Sequence, residues 1–326
     1  MNQEITSWHR HHEGDLRTSA GYEIQRANMD ALCSKWIAYL DAKPKTVATY
    51  SRAIRQFLLY LSERYIDQPT RETVLEYREH LRQTLKPTTV QCYITTIKLF
   101  FQWTEQEGLY PNIAQHIKGA KLDTEHKKDY LTPNQAQQLL QSIDRSSLLG
   151  KRDYAIISLM LTSGLRTIEV SRANTGDLRT VADCLALFIQ GKGRDEKSEY
   201  VKIAWPVEQS IREYLKERSS TGQLRTDEPL FCSTANRNAG ERLTTRSLSR
   251  LVKNRLVAAG LSSDRLTAHS LRHTTATLNL LNGGTIEETK QLLRHTNINT
   301  TLIYSHALER AKNNSEARVA GVIFGQ

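Results

Sequence analysis

The stretch that decides the fold is residues 268–306, which begins AHSLRHTTAT and ends LLRHTNINTTLIYSH. It places His269 three positions before Arg272, and it places Tyr304 nine positions after His295. Arginine donates paired, charge-assisted hydrogen bonds to phosphate oxygens, and histidine moves protons near neutral pH. Tyrosine can act as a covalent nucleophile once its proton is removed. The stretch therefore contains the groups that a phosphoryl-transfer site needs.

Two segments upstream supply further cations. Arg166 follows an apolar helix in the run TSGLRTIE (162–169), and Lys192 lies between two glycines in the run GKGRDEK. A second guanidinium would stabilise the extra negative charge of a pentacoordinate transition state. The flanking glycines allow close backbone approach, so Lys192 could protonate a leaving oxygen. Lys197 in the same predicted loop is the alternative general acid.

Each of these residues alone has a simpler structural interpretation. Arg166 could cap helix carbonyls, Arg272 could pair with a glutamate, and Tyr304 could be a half-buried core residue. Only their order and spacing favour a shared chemical role.

The histidines also allow a metal-dependent alternative. His269 and His273 have the four-residue spacing of the zinc ligands in H-E-x-x-H, but Ser270 stands where that motif has its glutamate base. A hydrolase built on these two residues and His295 is therefore a disfavoured alternative, and we expect no metal site.

A second domain is predicted to begin near Leu131. Thr132 and Gln135 form a capping box with proline at the first helical position. A later helix through Tyr154–Ser163 is expected to end at Gly164. Together these features predict a catalytic domain over residues 131–326.

Alternating apolar residues predict a hairpin within this domain, followed mainly by helices. The apolar hairpin positions are Leu185, Leu187, Ile189, Val201, Ile203 and Trp205. The chain then closes with an apolar tail, whose residues are Val319, Val322, Ile323 and Phe324. Such a tail is expected to dock either on its own domain or on a neighbouring protomer.

Residues 23–118 are predicted to form a compact four-helix domain. Thr70 is suited to cap the third helix and Pro87 to begin the fourth. Apolar residues recur at helical spacing in the second helix, at Tyr50, Ile54, Phe57, Leu58 and Leu61. Basic residues off this stripe are candidates for contacts with a DNA backbone, namely Lys45, Arg52 and Arg55. Residues 119–130 are predicted to be a linker.

Residues 1–22 form a polar extension with a basic cluster, HRHH, at positions 9–12. The cluster is compatible with a DNA-contacting arm or a metal-binding tract. A frayed terminus is favoured, because nothing in the segment could bury an apolar face.

Composition points to a polyanionic partner. The 326 residues include 45 Lys and Arg against 35 Asp and Glu, a formal charge of +10. Each neutralised phosphate releases counterions, so such a charge favours nucleic acid. The four cysteines are far apart, which excludes a disulfide framework and fits a reducing cytoplasm. No run reaches the about 18 apolar residues of a membrane span, and no signal peptide is visible, so a cytoplasmic location is expected.

The ordered set resembles the tyrosine recombinase family, which includes phage integrases and Xer-type site-specific recombinases. The matching residues, in chain order, are Arg166, Lys192, His269, Arg272, His295 and Tyr304. Glu169 matches an acidic position that commonly supports the active site. The resemblance is good from about residue 132 to 306. One departure is Arg294, where many members have glycine before the histidine. It is expected to add charge beside the site and to leave the catalytic set intact.

The resemblance implies a mainly α fold with a small antiparallel β-sheet, arranged as a two-domain, C-shaped DNA clamp. The all-α domain would be the SAM-like core-binding domain, and the α+β domain the catalytic one. Tyr304 would attack a scissile phosphate of double-stranded DNA at a specific recombination site, giving a 3′-phosphotyrosine. Lys192 would be the general acid, Arg166, Arg272 and His295 would hold the phosphate, and His269 would assist proton movement.

The resemblance further implies that no cofactor is needed. It also implies that four protomers act on synapsed DNA through a Holliday junction, and accessory DNA-binding proteins are compatible with this arrangement. The absence of space before residue 23 for an arm-binding domain favours a simple-site enzyme, either an Xer-like resolver of replicon dimers or the integrase of a mobile element. Alternatives are a type IB topoisomerase-like enzyme and a catalytically silent DNA-binding relative. The sequence does not specify the DNA target.

Overall fold

The computed structural model divides the chain into two compact units, Met1–Glu125 and His126–Gln326. The division lies within the predicted linker, residues 119–130. The structure describes residues 29–121, 129–191, 194–219, 224–298, 301–302, 304 and 315–325, with the backbone alone at 16–17, 23–24, 29–30 and 316.

The first unit contains four helices after a short strand pair. The strands are β1 (Leu16–Arg17) and β2 (Glu23–Ile24), and the helices are α1 (Met29–Tyr39), α2 (Pro44–Glu63), α3 (Arg71–Thr84) and α4 (Pro87–Gln106). The sequence predicted a frayed terminus and then a helix from residue 23. The structure differs, because Arg17 pairs antiparallel with Glu23 and the first helix begins at Met29. Strand pairing satisfies backbone groups in a segment too polar to bury a helix face.

The helices of this unit enclose an aromatic core. Trp36 contacts Phe100 with ring centroids 5.6 Å apart, and Phe57 contacts Tyr77 at 5.0 Å. Thr70 caps α3 as predicted, since its side chain accepts from a backbone N–H three residues later. The apolar stripe of α2 is buried at Ile54, Phe57 and Leu61 and half-buried at Tyr50 and Leu58, whereas Lys45, Arg52 and Arg55 are exposed.

The second unit is a helical domain with a three-stranded sheet. Its helices are α5 (Pro133–Gln141), α6 (Leu148–Ser163), α7 (Thr167–Arg172), α8 (Trp205–Arg218), α9 (Thr245–Ala258), α10 (Ala268–Leu281), α11 (Ile286–Leu293) and α12 (Ser315–Phe324). The antiparallel strands are β3 (Leu178–Val181), β4 (Cys184–Ile189) and β5 (Glu199–Lys202). The central strand is β4, where Leu187 pairs with both Leu178 and Val201. The expected mainly α fold with a small antiparallel sheet is therefore confirmed.

Two details of the predicted hairpin need correction. Trp205 was expected in the second strand, but β5 ends at Lys202 and Trp205 begins α8 with its side chain 70% exposed. Proline at position 206 explains this, because its fixed φ and missing N–H favour the first turn of a helix. The third strand, β3, was not predicted, because its four residues are too few to show an alternating pattern.

Helix α6 sets the position of the site. It is buried on nearly every side, with Ile156, Leu159 and Met160 at 0–1% exposure. It ends at Gly164, as predicted, in the left-handed conformation with φ of 58°. A Cβ on this glycine would lie 2.6 Å from Cδ2 of Leu293, so the ends of α6 and α11 meet closely here. The residues that follow these two helix ends are consequently brought together.

The apolar tail of the sequence forms α12. Val319, Val322, Ile323 and Phe324 are 57–88% exposed in this helix. Within the described ranges, no helix is both long and apolar enough to cross a membrane.

Candidate active site

Arg166 and Glu169 form the first contact of the site, at the start of α7. The backbone N–H of Arg166 donates to Oε2 of Glu169 at 2.8 Å, and its Nη1 donates to Oε1 at 2.9 Å. Glu169 is 1% exposed, whereas the side chain of Arg166 is 28% exposed. The buried carboxylate thus orients a guanidinium that still reaches solvent.

Glu169 is also bound by Arg294, whose Nη2 donates to Oε2 at 2.9 Å. Burial by itself raises the pKa of Glu169. The charges of Arg294 and Arg166 and the N–H of Arg166 outweigh burial, so the pKa falls below its usual value. Glu169 is therefore a carboxylate shared by two arginines, and the supporting role in catalysis stays a prediction.

Arg272, on α10, connects the ends of two other helices. Its Nη1 donates to the carbonyl of Gly164 at 2.5 Å, and its Nη2 donates to the carbonyl of Leu293. The side chain is almost completely buried. Burial, together with the charges of Arg166 and Arg294, lowers its pKa to about 9. At neutral pH it is still a cation, held in a fixed orientation.

Arg294 was predicted only to add charge beside the site, and the structure shows a more specific arrangement. Its backbone is left-handed, with φ of 55°. Its Nη1 donates to the carbonyl of Leu292 at 2.7 Å, and its Nη2 also lies 3.4 Å from the carbonyl of Gly164. The guanidinium is thus turned inward onto Glu169 and helix-terminal carbonyls.

His295 lies beside this cationic cluster. Its Nδ1 lies 2.9 Å from Oγ1 of Thr301. Burial, together with the charges of Arg272, Arg166 and Arg294, lowers its pKa to about 4. The imidazole is consequently neutral at physiological pH, so it can donate a hydrogen bond to a phosphate but holds no positive charge.

Tyr304 is buried at the same place, at 7% exposure. Its hydroxyl lies 2.5 Å from Nδ1 of His273. Burial raises the pKa of Tyr304 to about 12, although the charges of Arg272 and Arg166 act in the opposite direction. The charges of the two predicted phosphate-binding arginines therefore act on the hydroxyl of the predicted nucleophile.

His273 is the residue that the sequence interpretation placed only in the disfavoured zinc alternative. Its ring packs edge to face against His269 with centroids 4.6 Å apart. The available signal was the four-residue spacing, which puts both histidines on one face of α10. Within the described residues, no group of three or more His, Cys, Asp or Glu side chains is placed to hold a metal ion.

Of the two candidate lysines, Lys197 lies among the described residues and Lys192 does not. Lys192 and its neighbour Gly193 lie outside the described residues. Lys197 forms an ion pair with the buried carboxylate of Asp177, which also accepts from the backbone N–H of Asn174 at 2.6 Å. The ammonium of Lys197 is therefore bound to a carboxylate of the 3₁₀ turn that precedes β3.

Comparison with known proteins gives consistent matches along both units. Residues 129–310 match the phage integrase family, and residues 34–110 match the N-terminal SAM-like domain of phage integrases. Tyrosine recombinase slr0733 of Synechocystis is 29% identical over 279 residues, covering 80% of this chain and 86% of the relative. Tyrosine recombinase XerC of Chlamydia trachomatis serovar D is 31% identical over 225 residues, covering 69% and 68%.

Solved structures share the fold. XerH site-specific recombinase bound to palindromic difH substrate, in a post-cleavage complex, superposes with a TM-score of 0.68 at 23% identity, covering 88% of this chain and 84% of that one. The Tn1549 transposon integrase in complex with a circular intermediate DNA gives 0.67 at 20% identity, covering 84% and 93%.

Proposed function

This chain belongs to the phage integrase family of tyrosine recombinases, which cleave and rejoin DNA strands, and we propose that Tyr304 is the nucleophile through which it does so. The observation that carries the proposal is that the buried hydroxyl of Tyr304 lies within the electrostatic influence of both Arg166 and Arg272, whose charges lower its pKa against the effect of burial. Arginine pairs placed to bind a phosphodiester would hold the phosphorus beside the attacking oxygen.

The proposed reaction is a transesterification. The hydroxyl oxygen of Tyr304 bonds to the phosphorus while the bond to the 5′ oxygen breaks, giving a 3′-phosphotyrosine and a free 5′-hydroxyl. Attack by that hydroxyl, or by one from a second duplex, reverses the step. The covalent linkage conserves the bond energy, so rejoining needs no ATP.

The other residues have separate roles in this proposal. Arg166 and Arg272 bind the non-bridging oxygens and offset the charge of the transition state. His295 donates to the phosphate as a neutral imidazole, and His269 assists proton movement. Lys192 protonates the leaving oxygen. It is preferred to Lys197 because the ammonium of Lys197 is already paired with a buried carboxylate.

The proposed substrate is double-stranded DNA with a specific recombination site, bound by four protomers that pass through a Holliday junction. Relatives of the same fold support this, since one solved structure is a lambda integrase tetramer bound to a Holliday junction. Lys45, Arg52 and Arg55 are exposed and free of the apolar core, as phosphate contacts require. The clamp expected from the resemblance concerns the placement of the two units and stays a prediction.

The biological role that we propose is resolution of replicon dimers or movement of a mobile element. Relatives named XerC and a transposon integrase both match this chain, so the similarity supports either role. The exposed apolar residues of α12 support docking of that helix on a neighbouring protomer. Removal of the residues after Ser315 should then prevent assembly of four protomers on DNA, whereas unchanged assembly would show that the tail does not dock in trans.

Trapping of the covalent intermediate tests the nucleophile. A pool of nicked duplexes with a random central sequence is incubated with the protein, denatured, and searched for DNA that stays attached to protein. The wild-type chain should enrich particular duplexes, and Tyr304→Phe should bind DNA without forming an adduct. Tyr154→Phe, which alters a half-buried tyrosine on α6, should still form it. DNA binding by the wild type with no adduct at any sequence would refute the proposal.

The enriched duplex also separates recombination from its alternatives. It is placed in supercoiled plasmids as one copy or as a pair, with and without EDTA. A recombinase should rearrange only the paired plasmid and should keep full activity in EDTA. Relaxation of plasmids that lack the site would indicate a topoisomerase, and loss of activity in EDTA would indicate a metal-dependent enzyme.

A further inference from the structure

His273 makes a direct contact with the proposed nucleophile that the family pattern of this sequence does not include. Its Nδ1 lies 2.5 Å from the hydroxyl of Tyr304, and both residues are buried, at 4% and 7% exposure. The two lie 31 positions apart in sequence, so the contact is made by the fold rather than by local geometry.

The helix that carries His273 is fixed on both sides of it. The hydroxyl of Thr274 accepts from the backbone N–H of Leu131 at 2.9 Å, and the hydroxyl of Thr275 donates to the carbonyl of Leu161 at 2.8 Å. Arg272, the preceding residue, is anchored on the ends of α6 and α11. The imidazole is thus held at a set position, as a proton acceptor must be.

We propose that His273 is a further catalytic residue, which accepts the proton of Tyr304 during strand cleavage and returns it during rejoining. The proposal rests on the proposed function of Tyr304. As the tyrosine oxygen bonds to phosphorus, its proton moves to Nδ1 of His273, and the released 5′ oxygen takes a proton from the general acid. In rejoining, the 5′-hydroxyl attacks the phosphorus and returns its proton to the general acid. The tyrosine oxygen leaves and takes its proton back from His273.

A proton acceptor is needed here because the hydroxyl does not ionise by itself at neutral pH. Burial raises the pKa of Tyr304 to about 12. Imidazole is the side chain suited to accept a proton near neutrality. The 2.5 Å contact with the hydroxyl points to His273 as this acceptor, and the ring of His269 packs edge to face against it.

The surrounding charges suggest when the transfer occurs. Among the described residues, the ring of His269 packs against His273, and the charges of the cations Arg272 and Arg166 act on the hydroxyl of Tyr304. Without DNA, these cations disfavour a second positive charge on His273. A bound phosphodiester offsets them, so that an imidazolium becomes less costly once substrate is in place.

The first experiment needs no DNA. Protein with ¹⁵N-labelled histidine is compared with Tyr304→Phe by NMR spectra that report the protonation of each ring nitrogen. The proposal requires Nδ1 of His273 to be unprotonated at neutral pH and its resonance to shift in Tyr304→Phe. A proton on Nδ1 in the wild type would overturn the proposal, because that nitrogen could then accept nothing.

The second experiment measures the single-turnover rate of adduct formation on the nicked duplex selected by the wild-type chain. His273→Gln can still accept a hydrogen bond but cannot take up a proton. We expect it to bind the duplex as the wild type does and to cleave at least about 100-fold more slowly, the lower range of general base effects. It should also lose the rise in rate with pH that titration of the acceptor produces. His80→Gln, an exposed histidine in the first unit, is the matched control and should retain both.

Three outcomes would contradict this inference without affecting the proposed function. Wild-type rate and pH dependence in His273→Gln would show that the contact only positions the tyrosine. A faster rate would show that His273 restrains it. Loss of the pH-dependent rise in His269→Gln, with the rise kept in His273→Gln, would assign the proton to His269. Failure of the wild type to form any adduct would instead refute the proposed function itself, while the NMR result still decides the tautomer.

Discussion

Substitution of Arg294 by glycine relieves backbone strain but breaks a buried ion pair. The change in the free energy of unfolding therefore shows which of the two effects is larger. Arg294 has φ of 55°, a conformation that costs an ordinary residue about 1–2 kcal/mol and glycine very little. The substitution also removes a guanidinium that is 7% exposed from a carboxylate that is 1% exposed. Removal of one partner of a buried pair costs about 3–5 kcal/mol.

The two effects have opposite signs, and the ion pair is the larger. Glu169 keeps Arg166 as a partner through two hydrogen bonds, so the lower end of the range applies, about 3 kcal/mol. With about 1 kcal/mol returned by relief of strain, the free energy of unfolding should fall by about 2 kcal/mol. For a unit of this size, the melting temperature should fall by about 4–8 °C.

Scanning calorimetry of the full chain measures this change in the transition of the second unit. Arg294→Asn is the matched control, because asparagine tolerates the left-handed region but carries no charge. It should be destabilised at least as much as the glycine variant. Neutralising the carboxylate in Arg294→Gly/Glu169→Gln should recover part of the loss. A higher melting temperature for Arg294→Gly would show that strain outweighs the ion pair and would refute this reasoning.

Three further predictions follow from contacts elsewhere in the second unit. The pKa of His295 is about 4 in the folded protein and near 6.5 in the unfolded chain. Its contribution to the free energy of unfolding is therefore complete above about pH 6.5 and is lost as pH falls towards 4. The melting temperature of His295→Asn should therefore change less between pH 7 and pH 4.5 than that of the wild type. In urea unfolding, Gly164→Ala should lower the free energy of unfolding more than Gly283→Ala. Both glycines have positive φ, but of these two only a Cβ at position 164 would crowd a neighbour, Leu293. Equal losses would show that φ strain alone matters. Asp153→Asn breaks a buried pair with Arg152 and a second contact with Arg255, and should cost about 3–5 kcal/mol in unfolding. Asp227→Asn, in an exposed pair with Arg225, should cost under about 1 kcal/mol, and a similar loss in both variants would contradict the reasoning.

Local features of the structure were predictable from the sequence where a short-range rule acts. Thr132 accepts from the backbone N–H of Gln135 in the expected capping box, and Pro87 begins α4. Gly164 ends α6 because a left-handed residue there costs glycine little. A rule of the same kind was missed at Trp205, because the apolar alternation was extended into the first turn of α8, which Pro206 favours.

The sequence by itself determined the identity and order of the reactive groups, from Arg166 to Tyr304, and with them the family. Only the tertiary structure decided which groups touch. Arg294 meets Glu169 across 125 positions, and His273 meets Tyr304 across 31. Helical periodicity states which face of its own helix a side chain occupies, but not which distant chain segment packs against that face. That choice is made when the ends of α6 and α11 meet at Gly164, which brings Arg166 and Arg294 onto a single carboxylate, Glu169.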